Sequence, residues 1–266
     1  MKKFRRVLFP VLVLLFLYLP ILLLALYSFT DATQIGAIRG FTFKNYETLF
    51  TTEELRSMIV GTLVLAVVSA LLATILGTLG AVGSFYSKKR TSSAMSTVNQ
   101  IPVINADVVT GFSLCILLVV VFGISKDTYI PLVIGHVTLC APFVYLSVMP
   151  KLKQMDPALY EAALDLGAKP RTALMKVVMP QILSGMVSGF SLAITLSLDD
   201  YFIATYTKPA TFDTISTYVV NATKGSQTQI KTALWALSTL IFVLVIVVVI
   251  IMNWNANRNS RKEDRI

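Results

Sequence analysis

The chain is constrained first by its apolar runs. Residues 7–29 form an apolar run of 23 residues. As a helix this run is about 34 Å long at about 1.5 Å per residue, enough to cross a hydrocarbon layer of roughly 30 Å. Further runs follow at about 61–85, 101–122, 129–149, 182–206 and 233–252, the fifth interrupted by Asp199 and Asp200. Six such runs predict an all-α membrane protein with six transmembrane helices, a single transmembrane domain over 1–266. Composition agrees: 55% hydrophobic residues, 14% charged and a mean hydropathy of +0.74 exclude an ordinary soluble domain. Lys2, Lys3, Arg5 and Arg6 precede the first run as they would in a signal peptide. Its apolar part exceeds the roughly 7 to 15 residues of a signal core and no small-residue cleavage site follows, so it reads as an uncleaved span.

The cations set the orientation. With the N-terminus in the cytoplasm, the inner segments hold Lys2, Lys3, Arg5, Arg6, Lys88, Lys89, Arg90, Lys151, Lys153, Lys169, Arg171, Lys176, Arg258, Arg261, Lys262 and Arg265. The outer loops hold Arg39, Lys44, Arg56, Lys126, Lys208, Lys224 and Lys231. This bias follows the positive-inside rule and puts both termini in the cytoplasm. The net charge of +9 is then explained by topology and membrane lipids, and nucleic acid is not needed as a partner. Cys115 and Cys140 fall within expected spans and His136 is the only histidine, so a disulfide framework and a Cys/His metal site are both excluded. The sequence also has no GxxxxGK[ST] loop to cradle nucleotide phosphates. If ATP and magnesium drive this protein, another chain binds them.

Small residues repeat at four-residue spacing within two runs: Ala66, Ala70, Thr74 beside Ala73, Gly77, Ala81, and Gly185, Gly189 with Ser184, Ser188. Their expected role is close helix packing, since lipid supplies no hydrophobic drive for association. The stretch FTFKNYETLF, residues 41–50, lies in the first outer loop, and its aromatics suggest an interfacial segment.

Between the fourth and fifth runs lies the loop 150–180, ending in EAALDLGAKPRTALMKVVMP. Asp156 and Pro157 mark a helix start and Gly167 a stop. Leu159, Ala162, Ala163 and Leu166 recur as a narrow apolar stripe that permits close approach to a partner. Glu161 and Asp165, four apart, form a like-charge pair that asks for a basic neighbour, either Lys169 or Arg171 or a residue of another protein. Pro170 opens a second short helix to Val178, and Pro180 starts the fifth span. Three readings compete: an amphipathic loop on the membrane, a DNA-reading helix-turn-helix, and a docking element for a cytoplasmic partner. Two membrane spans within a few residues leave a recognition helix little freedom to enter a groove, so docking is favoured.

Glu161, Ala162, Ala163, Gly167, Val177, Met179 and Pro180 follow the spacing of the EAA loop, and the chain is identified on them as resembling the permeases of binding-protein-dependent ABC importers. Val177-x-Met179-Pro180 replaces the family's usual I-x-L-P, and Lys169 stands where relatives often have a small hydroxyl residue. The resemblance implies a type I ABC importer permease fold in a bacterial inner membrane. It implies coupling by Glu161, Ala162, Ala163, Gly167 and Pro180 to a cytoplasmic ATPase that binds ATP.

The spans contain the acids Asp107, Asp199 and Asp200, without a Lys or Arg at comparable depth. Acids in a membrane are functional by default, and an acidic path favours a cationic solute. Along their helices Asp107 would lie roughly 9 Å from the inner end and Asp199 roughly 28 Å, as two stations of one route. Adjacent helical residues point about 100° apart, so one of Asp199 and Asp200 lines the route while the other caps a helix break or pairs with Lys208. Tyr201, Phe202, Tyr206, Phe112 and Tyr145 offer ring faces to an alkylammonium ion. LSLDDY, residues 196–201, with residues 41–50 and the EAA loop, resembles the spermidine/putrescine permease branch. That branch implies a homologous second permease, two ATPase subunits, and an extracellular or periplasmic polyamine-binding protein facing residues 207–231. Rivals are a permease for ferric ion, thiamine or an amino-acid-like compound, an ion-coupled secondary transporter, and a structural subunit with no pathway.

Overall fold

The structure is a computed structural model that describes residues 2–31, 40–224, 233–243 and 246–247. The chain divides into two compact units, Met1–Ser57 with Val219–Ile266, and Met58–Tyr218. The described residues are predominantly helical, with a single isolated β-bridge between Thr30 and Phe41.

In the first unit, α1 (Lys2–Ser28) realises the first apolar run, with Pro10 and Pro20 inside it. Phe9, Phe16 and most of its other large apolar side chains are exposed, as expected of a helix whose surroundings are hydrocarbon. Segment 41–50 folds into α2 (Lys44–Thr51), pinned to the end of α1. Asn45 Nδ2 donates to Ser28 O at 2.9 Å and Thr30 O at 3.0 Å, and the Ser28 and Tyr46 hydroxyls lie 2.9 Å apart. Phe29, Phe41, Phe43 and Tyr46 form a ring cluster over this joint.

The second unit carries most of α3 (Glu53–Phe85), then α4 (Lys89–Ile104), α5 (Asp107–Cys115), α6 (Ile130–Gln154), α7 (Ala158–Asp165), α8 (Pro170–Ala173), α9 (Met179–Asp199) and α10 (Phe202–Thr207). Next, α11 (Ile215–Lys224) runs from the second unit into the first, and Ala233–Val243 forms α12. The core is an α6–α9 seam made by small residues. An added Cβ at Gly185 would lie 2.9 Å from Ser147 O, and one at Gly189 would lie 3.1 Å from Val144 Cα. On α3, Ala66, Ala70, Ala73 and Ala81 are buried, and a Cβ at Gly77 would meet Ala141 O of α6 at 2.7 Å. The expected packing stripes therefore exist, except that Ser184 and Ser188 are exposed beside theirs.

Among the described residues, four helices are long and apolar enough to cross a membrane: Leu8–Ser28, Glu53–Phe85, Ile130–Gln154 and Pro170–Asp199. One further pair of helices passes the same test only when taken together. The expected straight span 101–122 is instead α4 followed by α5 and a π-helical stretch Ile116–Val121, bent by 103° at Asn105–Ala106. Pro102 removes a helical donor, and the Asn105 side chain donates to Thr110 Oγ1 at 3.0 Å across the break, so short polar groups end one helix and start the next. The fifth span also differs from 182–206. It begins at Pro170, because a π-helical stretch Leu174–Val178 carries the backbone past Pro180, and it ends at Asp199. Of the expected span 233–252, Ala233–Val243 is helical, and its last residues, with Arg258, Arg261, Lys262 and Arg265, lie outside the described residues. Arg39 and Lys231 lie outside them as well.

Candidate functional site

The break between α9 and α10 is built by Asp200. Its backbone turns extended (φ −66°, ψ 122°), which stops α9 at Asp199. Its carboxylate then closes the start of the next helix: Oδ1 accepts from Ile203 N at 3.2 Å and Oδ2 from Ala204 N at 2.8 Å. An acid at this position satisfies backbone donors that would otherwise be orphaned, and it lies at the positive end of the helical dipoles. Asp200 is 8% exposed, whereas Asp199 is exposed. Behind Asp200 sits His136 of α6, fully buried, with Nε2 3.6 Å from Oδ2 and Nδ1 2.9 Å from Leu132 O.

Two glycines let the neighbouring helices approach this joint. A Cβ at Gly135 of α6 would lie 2.6 Å from Ile203 Cγ2, and one at Gly111 of α5 would lie 3.0 Å from Ile203 Cα. Ile203 is thus held between α5 and α6, which fixes α10 just beyond the break. One turn past His136, Cys140 Sγ donates to Ala193 O of α9 at 3.4 Å.

The site gathers most of the residues expected from sequence. Asp107 opens α5 and is exposed. Because α5 runs along α10, with Gly111 against Ile203 and the Phe112 and Tyr206 rings 5.7 Å apart, Asp107 lies close enough to Asp200 for their charges to interact. The bend at residues 105–106 thus lets α5 start beside the α9–α10 break. The Tyr201 and Phe202 rings are 5.2 Å apart at the break, and Phe202 and Phe112 are exposed. Tyr145 is elsewhere: nine residues after His136, roughly 13 Å along α6, it is 3% exposed and donates to Ser84 Oγ of α3 at 3.0 Å. Lys208 pairs with Asp213 at 3.0 Å and not with Asp200.

A second polar region is the hairpin of α7 and α8. Asp156 Oδ1 accepts from Ala158 N at 2.9 Å, which is the expected start signal. The stop is Gly167 at φ +84°, where Ala168 N donates to Ala163 O at 3.1 Å and Gly167 N to Leu164 O at 2.9 Å. Glu161, Ala162 and Gly167 are exposed, Ala163 is half-buried, and Pro180 is exposed beyond the π-helical stretch. Leu166 is 89% exposed and Leu159 is exposed too, so both ends of the apolar stripe are left uncovered by the described residues. The ion pairs among the described residues are His136–Asp200 and Lys208–Asp213, which leaves Glu161 and Asp165 without a cation. Tyr160 faces the other way, its ring 4.9 Å from that of Tyr86 at the end of α3.

Sequence reasoning missed His136, Gly111 and Gly135 as parts of the site. His136 was weighed only as a metal ligand, and a lone histidine cannot build a metal site. The available signal was that a buried histidine in an apolar span needs a polar partner, and the expected spans offered few carboxylates besides Asp199 and Asp200.

Comparison with known proteins agrees with the fold. At 32% identity over 243 residues, the chain is similar to the spermidine/putrescine transport system permease protein PotC of Haemophilus influenzae, covering 91% of this chain and 93% of that one. It is also 32% identical over 232 residues to the putrescine transport system permease protein PotI of Escherichia coli strain K12, covering 85% and 81%. Among solved structures, a bacterial ABC transporter involved in the import of the acidic polysaccharide alginate superposes with a TM-score of 0.74 at 20% identity, covering 97% of this chain and 98% of that one. Residues 73–261 match the family described as binding-protein-dependent transport system inner membrane component, so this multi-pass chain belongs to that family of importer permeases.

Proposed function

We propose that the chain is one permease half of an ATP-driven importer that carries a polyamine into the cytoplasm of a bacterium. It would sit in the inner membrane with six spans and both termini inside, as the distribution of Lys and Arg supports. Its partners would be a homologous second permease, two copies of a cytoplasmic ATPase that binds ATP and magnesium, and an extracellular or periplasmic polyamine-binding protein. The chain supplies no catalytic step of its own, in keeping with the permease family to which it belongs.

One observation carries the choice of cargo. Asp199, the last residue of α9, and Asp107, the first residue of α5, are exposed carboxylates, and neither has an ion-pair partner among the described residues. Asp200 is turned inward as a cap, so Asp199 is the member of the pair left to meet a solute. An acid held in a membrane protein without a cation is expensive unless a cation visits it, and a polyamine offers several. Tyr201, Phe202 and Phe112 present ring surface nearby for its methylene chain and ammonium groups. The names of the similar permeases, spermidine/putrescine and putrescine, agree with this charge argument.

At the other end, the hairpin would dock on the ATPase through Glu161, Ala162, Ala163 and Gly167, with Pro180 lying beyond it inside the continuous helix of the fifth span. Its exposed stripe ends and unpaired acids are the supporting features. The cargo test is uptake of labelled spermidine by the reconstituted complex with Asp199→Asn. A fall of roughly tenfold or more is expected for loss of a charge contact in a low-dielectric site. Unchanged uptake by Asp199→Asn and by Asp107→Asn would remove the acidic pathway, and competition by ferric ion or thiamine would redirect the choice of solute.

A further inference from the structure

Asp200 is buried but cannot leave its place, because it caps α10 while Gly111 and Gly135 hold Ile203 of that helix from both sides. Opposite it, the protonation of His136 is constrained by geometry. The Leu132 carbonyl can only accept, so Nδ1 at 2.9 Å carries a hydrogen and donates it. In a neutral ring, Nε2 would then present a bare lone pair to Asp200 Oδ2 at 3.6 Å. Nε2 has no hydrogen-bond partner among the described residues, and the Asp200 carboxylate it faces and the ring itself are 3% and 0% exposed. Two electron-rich groups facing each other in a buried site is a costly arrangement. One proton, on either the ring or the carboxyl, turns it into an attraction.

We infer that His136 and Asp200 form a buried pair that holds one proton between them, and that this pair fixes the α9–α10 break from which Asp199 faces the solute path. His136 is thus a positioning residue that acts through Asp200 and does not touch the solute. The inference rests on reading Asp199 as the pathway acid. The other groups around the pair do not replace it. Cys140 spends its hydrogen on Ala193 O, and Asp107 adds a negative charge, which increases the need for the shared proton.

Substitutions at the two positions have unequal consequences. In Asp200→Asn an NH2 at the Oδ2 position can donate to the Nε2 lone pair of a neutral His136 while the amide oxygen at the Oδ1 position accepts from Ile203 N, and Ala204 N loses its side-chain acceptor. Spermidine uptake by the reconstituted complex should therefore fall by about two- to fivefold, less than in His136→Leu, because one cap bond is lost and no charge is stranded. His136→Leu strands a carboxylate in the buried interior, and uptake should fall by roughly tenfold or more, with a raised KM for spermidine. Adding Asp200→Asn to His136→Leu removes the stranded charge and should recover most of that loss.

Rescue separates this role from packing, because a histidine that only fills space gains nothing when its neighbour is neutralised. The thermal midpoints of the four purified chains in detergent should follow the same order, which keeps the test informative if His136→Leu reaches the membrane poorly. A His136→Leu variant as active and stable as the parent would overturn the inference, as would a double variant no better than His136→Leu in both uptake and midpoint. Asp199→Asn is measured beside them. If it alone leaves uptake unchanged, the pathway reading fails, while the midpoints still decide whether the pair exists.

Discussion

The α9–α10 break and the α7–α8 hairpin are both places where helices end on an acid, and they treat that acid in opposite ways. At the break, Asp200 accepts two backbone N–H groups and faces His136, so its charge is balanced within the chain. In the hairpin, Glu161 and Asp165 have no cation among the described residues, and the ends of the apolar stripe, Leu159 and Leu166, are exposed. A polar group buried with all its partners is a joint, held in one geometry by the cost of leaving any partner unpaired. A polar and apolar face left open is a surface for another molecule. The contrast agrees with the proposed roles, a fixed joint at the break and a docking face on the hairpin.

The largest effect should come from disrupting the joint itself. Gly135→Val forces side-chain atoms into the space of Ile203, and overpacking of this kind costs about 1–3 kcal/mol. The amount of folded protein in the membrane and spermidine uptake should fall together. Normal uptake at normal protein levels would show that α10 does not need this close seat.

Glu161→Lys and Gly167→Asp should separate the two regions. Asp is among the residues that best tolerate φ near +84°, so the fold should survive with a cost of about 1 kcal/mol or less. ATP-driven uptake should nevertheless drop roughly tenfold or more, because a charge is placed on a face meant to be covered. Co-purification of the ATPase and uptake at parental levels in both variants would mean that the hairpin is not the docking surface.

A smaller change is expected from Asp156→Ala, which removes the hydrogen bond to Ala158 N at the start of α7 at a cost of about 1 kcal/mol. Hydrogen exchange in residues 158–165 should quicken while that of α9 stays unchanged, since α7 is not part of the α6–α9 seam. The smallest effect belongs to Asp213→Ala, which breaks the half-exposed pair with Lys208 and should cost under about 1 kcal/mol, with uptake little altered. A large loss there would place Lys208 in the solute path.

These regions were not equally legible in the sequence. The hairpin's ends were written in residue types whose local preferences suffice: Asp156 and Pro157 start a helix, and Gly167 takes the positive φ that stops it. The bend at Asn105–Ala106 was hidden because hydropathy over a window registers composition and not direction, although Pro102 and Asn105 lay inside the run. Pro180 was read as a boundary, whereas a π-helical stretch absorbs its missing donor and lets the helix begin at Pro170. Helical geometry showed that Asp199 and Asp200 must diverge, but only the contacts to Ile203, Ala204 and His136 show which one turns inward. Tyr145 illustrates the reverse case: an aromatic in a span offered a ring face, and tertiary packing used its hydroxyl to join α6 to α3.

The central claim is that solute movement through this chain is driven by a partner docked on its hairpin. The direct measurement is uptake of labelled spermidine into vesicles holding this chain and its companion permease, with the binding protein supplied on the solute side. Uptake should require the ATPase with ATP and should stay at background under a proton or sodium gradient alone. Uptake driven by such a gradient without the ATPase would contradict the account and make Asp107 or Asp199 an ion relay.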